Sequence, residues 1–561
     1  MTENLDIQRI LSLPREPFPG PNLSYLYAKE GYELWPDQSK ALYQCWRGRG
    51  GLVFIHVGGG KTLVAFLLPI VLSAQRPLLL IPGSMRAQCV ADWAYYGRRF
   101  YLPPGMRVLS YETLSHKYGE EKLERINPDL IIADEVHMLK SRRRARYRRL
   151  KGFLDRNPQT EFVGMSGTLV NRSLLDYAHI SSWALKGGTP LPLEKDLLED
   201  WARVLDPKPV PAEDGLEVMA PLLEAFGGDS PREAFARRLR SVPGITIVRS
   251  PEVACSLVLH RRHVELPDVI KSVLPDSGEW VSPSEDAVEP STPALMEEVS
   301  RRQLVCGFYY RWVWPDGVPD VEWMEARKQW SRACRHALKK PTRGRDTEGL
   351  LAAACEEVFH GKGRMPRYLL GAWARWREQK HKEEPPRATR WVSQYLIDDI
   401  IEWVDTQKDP PIIWYGWQAV MHRLSKRTGW TVFGPGKEAS EAIIQVSNPV
   451  PAIVSLVHGS GKNLQTWGNM LFSTPLSVSS GWEQTLGRCH RAKQKRDEVN
   501  ATYYRHGPFG KAFETARREA LFVNETTTPQ NPKLNYATYT DQEDAEWRAN
   551  QEEIHGDPAG N

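Results

Sequence analysis

The stretch GLVFIHVGGGKTLVAFLLPIVL (residues 51–72) runs from an apolar segment through three glycines and a Lys-Thr pair into a second apolar segment. The first segment has strand length and the second has helix length. A strand, a glycine turn and a helix in that order make a phosphate cradle. Glycines let backbone N–H groups converge on phosphate oxygens, and the helix N-terminus adds its positive end. In this reading Gly58, Gly59 and Gly60 hold a polyphosphate, Lys61 reaches its β and γ phosphates, and Thr62 ligates Mg²⁺. The strict pattern has glycine at position 55, where this chain has Ile55. A plain glycine turn between strand and helix is the competing reading.

Working outward, PLLLIPG (77–83), DLIIADE (129–135) and EFVGMSGT (161–168) read as further buried strands separated by amphipathic stretches. This alternation predicts an α/β fold, a parallel sheet with helices on both faces. LIIADEVH would deliver Asp134 and Glu135 to the carboxyl edge of that sheet, where such folds bind ligands. Adjacent carboxylates can divide the work: Asp134 holds the magnesium through water, and Glu135 orients and deprotonates an attacking water. A solvated acidic turn is the alternative, weakened by the phosphate loop upstream. The pattern resumes in PIIWYGW (411–417), WTVFG (430–434), PAIVSLV (451–457) and NMLFSTP (469–475), which implies a second α/β lobe.

The 561 residues, 41% hydrophobic and 25% charged, describe a globular chain of several domains. A net charge of +5 is too small for binding polyanions by bulk charge, so any nucleic-acid surface must be local. The opening MTENLDIQRI has no secretory pattern, and the longest clean apolar run, residues 63–72, is shorter than the roughly 18 residues a membrane span needs. A cytoplasmic location without membrane contact is expected. Seven cysteines without a CxxC pair read as reduced thiols.

In order along the chain, LWPDQSKAL with Gln38, GGGKT, IPGSMRAQCVADW (81–93), SYETL (110–114), DEVHMLKS (134–141), MSGT (165–168) with Asn171, GSGKNLQ (459–465) and QTLGRCHRAKQ (484–494) resemble the motifs of superfamily 2 helicases. These are DEAD/DEAH-related proteins, and the likeness is greatest to the Swi/Snf-type DNA-dependent ATPases and translocases. The resemblance covers about half of the residues. It implies two RecA-like lobes with ATP and Mg²⁺ between them, Gln38 on the adenine, Gln484 on the nucleotide, and His137, Ser166 and Thr168 coupling nucleotide to polynucleotide. Arg488 and Arg491, three residues apart on one helix face, would meet the charge that develops on a transferring phosphoryl group. Nucleic acid is expected on the face opposite the ATP cleft, held mainly through its backbone by Gly83, Ser84, Ser110, Tyr111, Thr113, Tyr415, Gly416, Ser460 and Asn463. Three positions depart from the pattern: Leu169 stands where proline is usual, Lys462 where leucine is usual, and Lys493 where glycine is usual.

The predicted organisation is a nucleotide-binding lobe at 1–255 with a helical elaboration about 186–240, and a linker with the start of the second lobe at 256–294. A helical Trp- and Arg-rich insertion follows at 295–386, then the second lobe at 387–510 and a C-terminal helix with an acidic mobile tail at 511–561. Eleven of the twenty tryptophans fall between Trp312 and Trp430, and core packing is the favoured reading for them. The run KSRRRARYRR (140–149) carries no acid, so Arg142, Arg143 and Arg144 read as a phosphate-binding ridge, with a solvated helix as rival.

These features together predict a DNA translocase dependent on ATP and Mg²⁺. It would move as a monomer on duplex or forked DNA and remodel or anneal replication and recombination intermediates. The compact layout fits a bacterial or phage origin and a nucleoid-associated setting. A strand-separating DNA or RNA helicase is the alternative, with RNA the less favoured partner. A non-catalytic nucleic-acid scaffold is disfavoured by the retained Lys61, Asp134, Glu135, Arg488 and Arg491.

Overall fold

The computed structural model describes residues 4–546 apart from 16–21, 56–58, 143, 168–172, 207–214, 249–252, 254, 273, 275–292, 315–316, 340–344, 460, 492–493 and 528–530. Six strands, β1 (Gly51–Phe54), β2 (Pro77–Ile81), β3 (Arg107–Ser110), β4 (Leu130–Asp134), β5 (Glu161–Ser166) and β6 (Ile245–Ile247), form a parallel sheet in the order β3-β2-β4-β5-β1-β6. Successive residues enter opposite cores. Leu52, Phe54, Ile131 and Ala133 pack with Leu150, Phe153 and Ile180 on one face. Val53, Ile55, Leu130 and Ile132 pack with Val64 and Leu67 on the other. A strand buried on both faces must be apolar at every position, which is why these segments read as unbroken apolar runs.

The second sheet has seven strands in the order β11-β12-β10-β13-β14-β7-β15, again parallel throughout. Its members are β7 (Ser256–Arg262), β10 (Ile412–Tyr415), β11 (Thr431–Phe433), β12 (Ala452–Ser455), β13 (Asn469–Phe472), β14 (Glu498–Tyr504) and β15 (Thr538–Tyr539). Between β7 and β10 the chain makes an antiparallel pair, β8 (Phe308–Trp312) with β9 (Arg387–Trp391). This pair brackets the helices Val321–Ala337, Glu348–Phe359 and Arg367–Gln379. Trp330, Cys334, Leu351, Cys355, Leu369 and Trp373 give those helices a small core of their own. The helix Pro293–Val305 ends outside that unit, with Val305 in the core of the second sheet. All seven cysteines are buried and unpaired with one another. Among the described residues no helix is long and apolar enough to cross a membrane.

Two expectations are corrected by long-range contacts. The tail from Asp541 was expected to be solvated, yet Asp544 is 0% exposed. Its carboxylate accepts the Tyr503 hydroxyl at 2.5 Å and is paired with Arg505 and Arg517. Residues 547–561 lie outside the described part. The preceding helix, Pro508–Thr527, joins both lobes: Phe513, Ala516 and Ala520 sit in the second core, Phe522 in the first, and Glu525 pairs with Arg232.

The second correction concerns the arginine run. Arg146 and Arg149 are buried, and Arg149 holds Asp346 through two hydrogen bonds of 3.1 Å. The acid missing from the run is supplied by the helical unit 197 positions away. Arg142 and Arg144 stay exposed, and Arg143 lies outside the described residues. Removing one charge from a buried pair leaves the other unpaired in low dielectric. Asp346→Asn is therefore expected to cost about 3 kcal/mol in urea unfolding and to speed proteolysis among the three helices. A cost within about 0.5 kcal/mol, the level of an ordinary surface substitution, would assign the docking of that unit to other contacts.

Candidate functional site

Parallel register sets the site. Phe54 pairs with Ser166 and Asp134 with Met165, so β1, β4 and β5 end together at one sheet edge. The helix Lys61–Val71 starts there, and Gly60 precedes it at φ +79. The backbone angle favours glycine, and a Cβ at Gly60 would displace the Gln38 side-chain amide. Gln38 is buried: its Oε1 accepts the Trp35 N–H at 2.9 Å and its Nε2 donates to the Gly60 carbonyl at 3.4 Å. Here the amide that was expected on the adenine props the glycine turn. Gly59 is buried, and Gly58 lies outside the described residues.

A cavity of about 390 Å³, a size suited to a small ligand, opens at this edge between the lobes. The first lobe supplies Gly60, Lys61, Thr62, Asp134 and Glu135, and the second supplies Lys462, Asn463, Arg488 and Arg491. Lys61 Nζ donates to the Ile55 carbonyl at 2.8 Å. Glu135 holds φ +53, ψ +50, a left-handed conformation costly for a residue with a Cβ. Its carboxylate lies 3.2 Å from His137 Nδ1 and is approached at 3.5 Å by Gln484 Nε2 from the opposite lobe.

The two carboxyls differ electrostatically. Burial, then the charge of Glu135, raises Asp134 above the usual carboxylate range. Burial alone would also raise Glu135, but the hydrogen bond and charge of His137, with Lys61 and Arg488, outweigh it and hold Glu135 low. A buried acid forced up beside a second acid is relieved by a cation. Mg²⁺ keeps several waters and takes one or two protein oxygens, so Thr62 and Asp134 on one cavity wall fit it without a larger ligand cluster.

No family model matches this chain, and no curated protein matches it.

The two arginines are not equivalent. Arg488 is buried and clamped: Nε donates to the carbonyls of Gly459 (2.8 Å) and Gln484 (2.9 Å), and Nη1 donates to that of Lys462 (3.0 Å). Arg491 is half-buried, and no carboxylate among the described residues pairs with it. The helix Arg86–Gly97 adds Gln88, Asp92 and Tyr96 to the cavity, with Gln88 Nε2 bonded to Asp92 at 2.7 Å. Sequence reading gave no role to Asp92 or Tyr96. The available signal was the spacing of four from Gln88 to Asp92 and again from Asp92 to Tyr96, which places all three on one helix face.

The residues expected to touch nucleic acid scatter. Gly83 and Ser84 line a cavity of about 750 Å³ that adjoins the smaller one and shares Met85, Gln88 and Lys462 with it, so they are beside the cleft and not opposite it. The Gly83 N–H is taken by the Glu112 carboxylate at 2.9 Å. Tyr111 is fully buried with its hydroxyl on the Asp134 carbonyl at 2.7 Å, and Tyr415 is 3% exposed in the second core, so neither side chain can meet a polynucleotide. Ser110 caps the helix Tyr111–Ser115 through the Thr113 N–H. Asn463, expected on the nucleic-acid face, lines the smaller cavity. Gly416 is exposed, Ser166 is buried at the end of β5, and Ser460 and Thr168 lie outside the described residues.

Proposed function

We propose that the chain is a DNA translocase driven by ATP hydrolysis, similar to Swi/Snf-type superfamily 2 enzymes, with a RecA-like lobe on each side of its cleft. The observation that carries this reading is one cavity lined by Lys61, Thr62, Asp134 and Glu135 from one sheet and by Arg488 and Arg491 from the other. Lys61 and the glycine turn hold the phosphates. Thr62 and Asp134 would hold Mg²⁺, which when bound neutralises phosphate charge. Glu135 accepts a proton from water as the water oxygen bonds to the γ phosphorus, and the bond from that phosphorus to the bridging oxygen of ADP breaks. Arg491 stabilises the charge spreading over the transferred group. Because the groups come from two lobes, the triphosphate favours closure and its loss releases it.

DNA is the proposed partner, bound by a monomer in a cytoplasmic setting. The exposed Ser84, Gly416, Arg142 and Arg144 offer contacts to its backbone. The test is ATP hydrolysis measured with duplex, forked and single-stranded DNA and with RNA. Stimulation of at least about tenfold by duplex or forked DNA over the others is expected, equivalent to about 1.4 kcal/mol of preferential activation. Preference for single strands or RNA would favour a strand-separating helicase, and no hydrolysis with any of them would end the reading.

A further inference from the structure

The 456–459 turn that follows β12 leads through Gly461, at φ +72, to Lys462. The backbone there is pinned, since the Lys462 carbonyl receives Arg488 Nη1 at 3.0 Å. The side chain is 9% exposed and stands where the two inter-lobe cavities meet, lining both. Among the described residues no carboxylate pairs with its ammonium. Burial, and after it the charge of Arg488, pulls this amine down to about 8. A desolvated cation with no partner and a second cation beside it weakens a fold, so the position makes physical sense only if an anion arrives. The cavity's three acids are engaged elsewhere, Glu135 with His137, Asp134 with the Glu135 N–H and Asp92 with the Gln88 amide.

We propose that Lys462 is a further phosphate-binding residue of the second lobe, directed at the terminal phosphate of a nucleoside triphosphate and so distinguishing triphosphate from diphosphate. This rests on the nucleotide reading of the cleft. Lys462 shares the smaller cavity with Lys61, Thr62 and Arg491, three groups suited to a polyphosphate, whereas the adjoining one mixes Arg86 and Lys437 with Glu441, Val90 and Val457. The triphosphate therefore meets Lys61 from one lobe and Lys462 from the other. A diphosphate reaches only the first, which leaves Lys462 unpaired and closure unrewarded.

The full-length Lys462→Met chain, which keeps side-chain length and removes the charge, is titrated with a non-hydrolysable ATP analogue and with ADP, each with Mg²⁺. Affinity for the analogue is expected to fall about tenfold, the loss of one charge-assisted hydrogen bond, while ADP affinity stays within about twofold. Lys462→Arg should recover most of the loss. Without nucleotide, Lys462→Met should melt no lower than the parent chain, because it removes an unpaired buried charge. Equal losses for both nucleotides, or no loss for either, overturn the proposal. So does a loss confined to DNA affinity, which would make Lys462 a nucleic-acid contact. A parent chain that binds neither nucleotide overturns the reading of the cleft itself, whereas a parent chain that binds both, beside an unaltered Lys462→Met, overturns this assignment alone.

Discussion

If the cleft hydrolyses ATP as proposed, Glu135→Gln is expected to keep ATP binding and to lower turnover by roughly 10² to 10⁴, the range for loss of a positioned general base. The argument is geometric first. Glu135 is held at φ +53 at the end of β4, with its carboxylate in the cleft between His137 and Gln484. Glutamine preserves the shape and both polar contacts but cannot take a proton from water. A second effect has the opposite sign. The charge of Glu135 is the second cause, after burial, that raises Asp134, so its removal lets Asp134 ionise more readily. Mg²⁺ affinity should then hold or tighten while turnover collapses. Single-turnover hydrolysis beside equilibrium Mg²⁺-nucleotide binding separates the two. Turnover within tenfold of the parent would remove Glu135 from the role of base.

Arg491→Ala lowers kcat by roughly 10³ to 10⁵ with a much smaller change in KM, as expected of a charge that acts on the transition state. Both arginines lie in the turn beyond the helix Ser479–Leu486, not on the helix face expected for them, and Arg491 is the one free to act. Arg488 spends its donors on the Gly459, Gln484 and Lys462 carbonyls and shapes the turn that carries Lys462. Arg491 lines the cavity with no carboxylate partner among the described residues. Arg488→Ala provides the contrast, since it should lower the melting temperature as well as the rate, whereas Arg491→Ala should leave melting unchanged. A rise in KM without a fall in kcat for Arg491→Ala would place that side chain in ground-state binding.

Much of the fold was legible because strands buried on both faces have no polar positions. GLVF, PLLLI, LIIAD, IIWY and AIVS stand out for that reason. Several strands that escaped notice lack that property. β7 ends in His260, Arg261 and Arg262, β14 carries Glu498 and Asn500, and β15 has two residues whose only warrant is pairing with β7. The candidate site was legible where chemistry demands a rare local pattern, as in GGGKT and DE at a strand end. It was less so where a side chain had two uses. Gln38, Tyr111 and Arg488 stand in motifs that suggest ligand contact, and in the fold they bind backbone carbonyls.

Local sequence alone determined two alternating strand and helix series, a glycine turn before Lys61 and adjacent acids after a buried strand, because backbone conformation and apolar periodicity are short-range properties. Only the tertiary structure decided which charges are spent and which are free. Arg149 meets Asp346, Asp544 meets Arg505 and Arg517, and Lys462 meets no carboxylate among the described residues, outcomes that the neighbouring sequence does not disclose. Electrostatic energy depends on burial and on distance through space, and neither is set by separation along the chain.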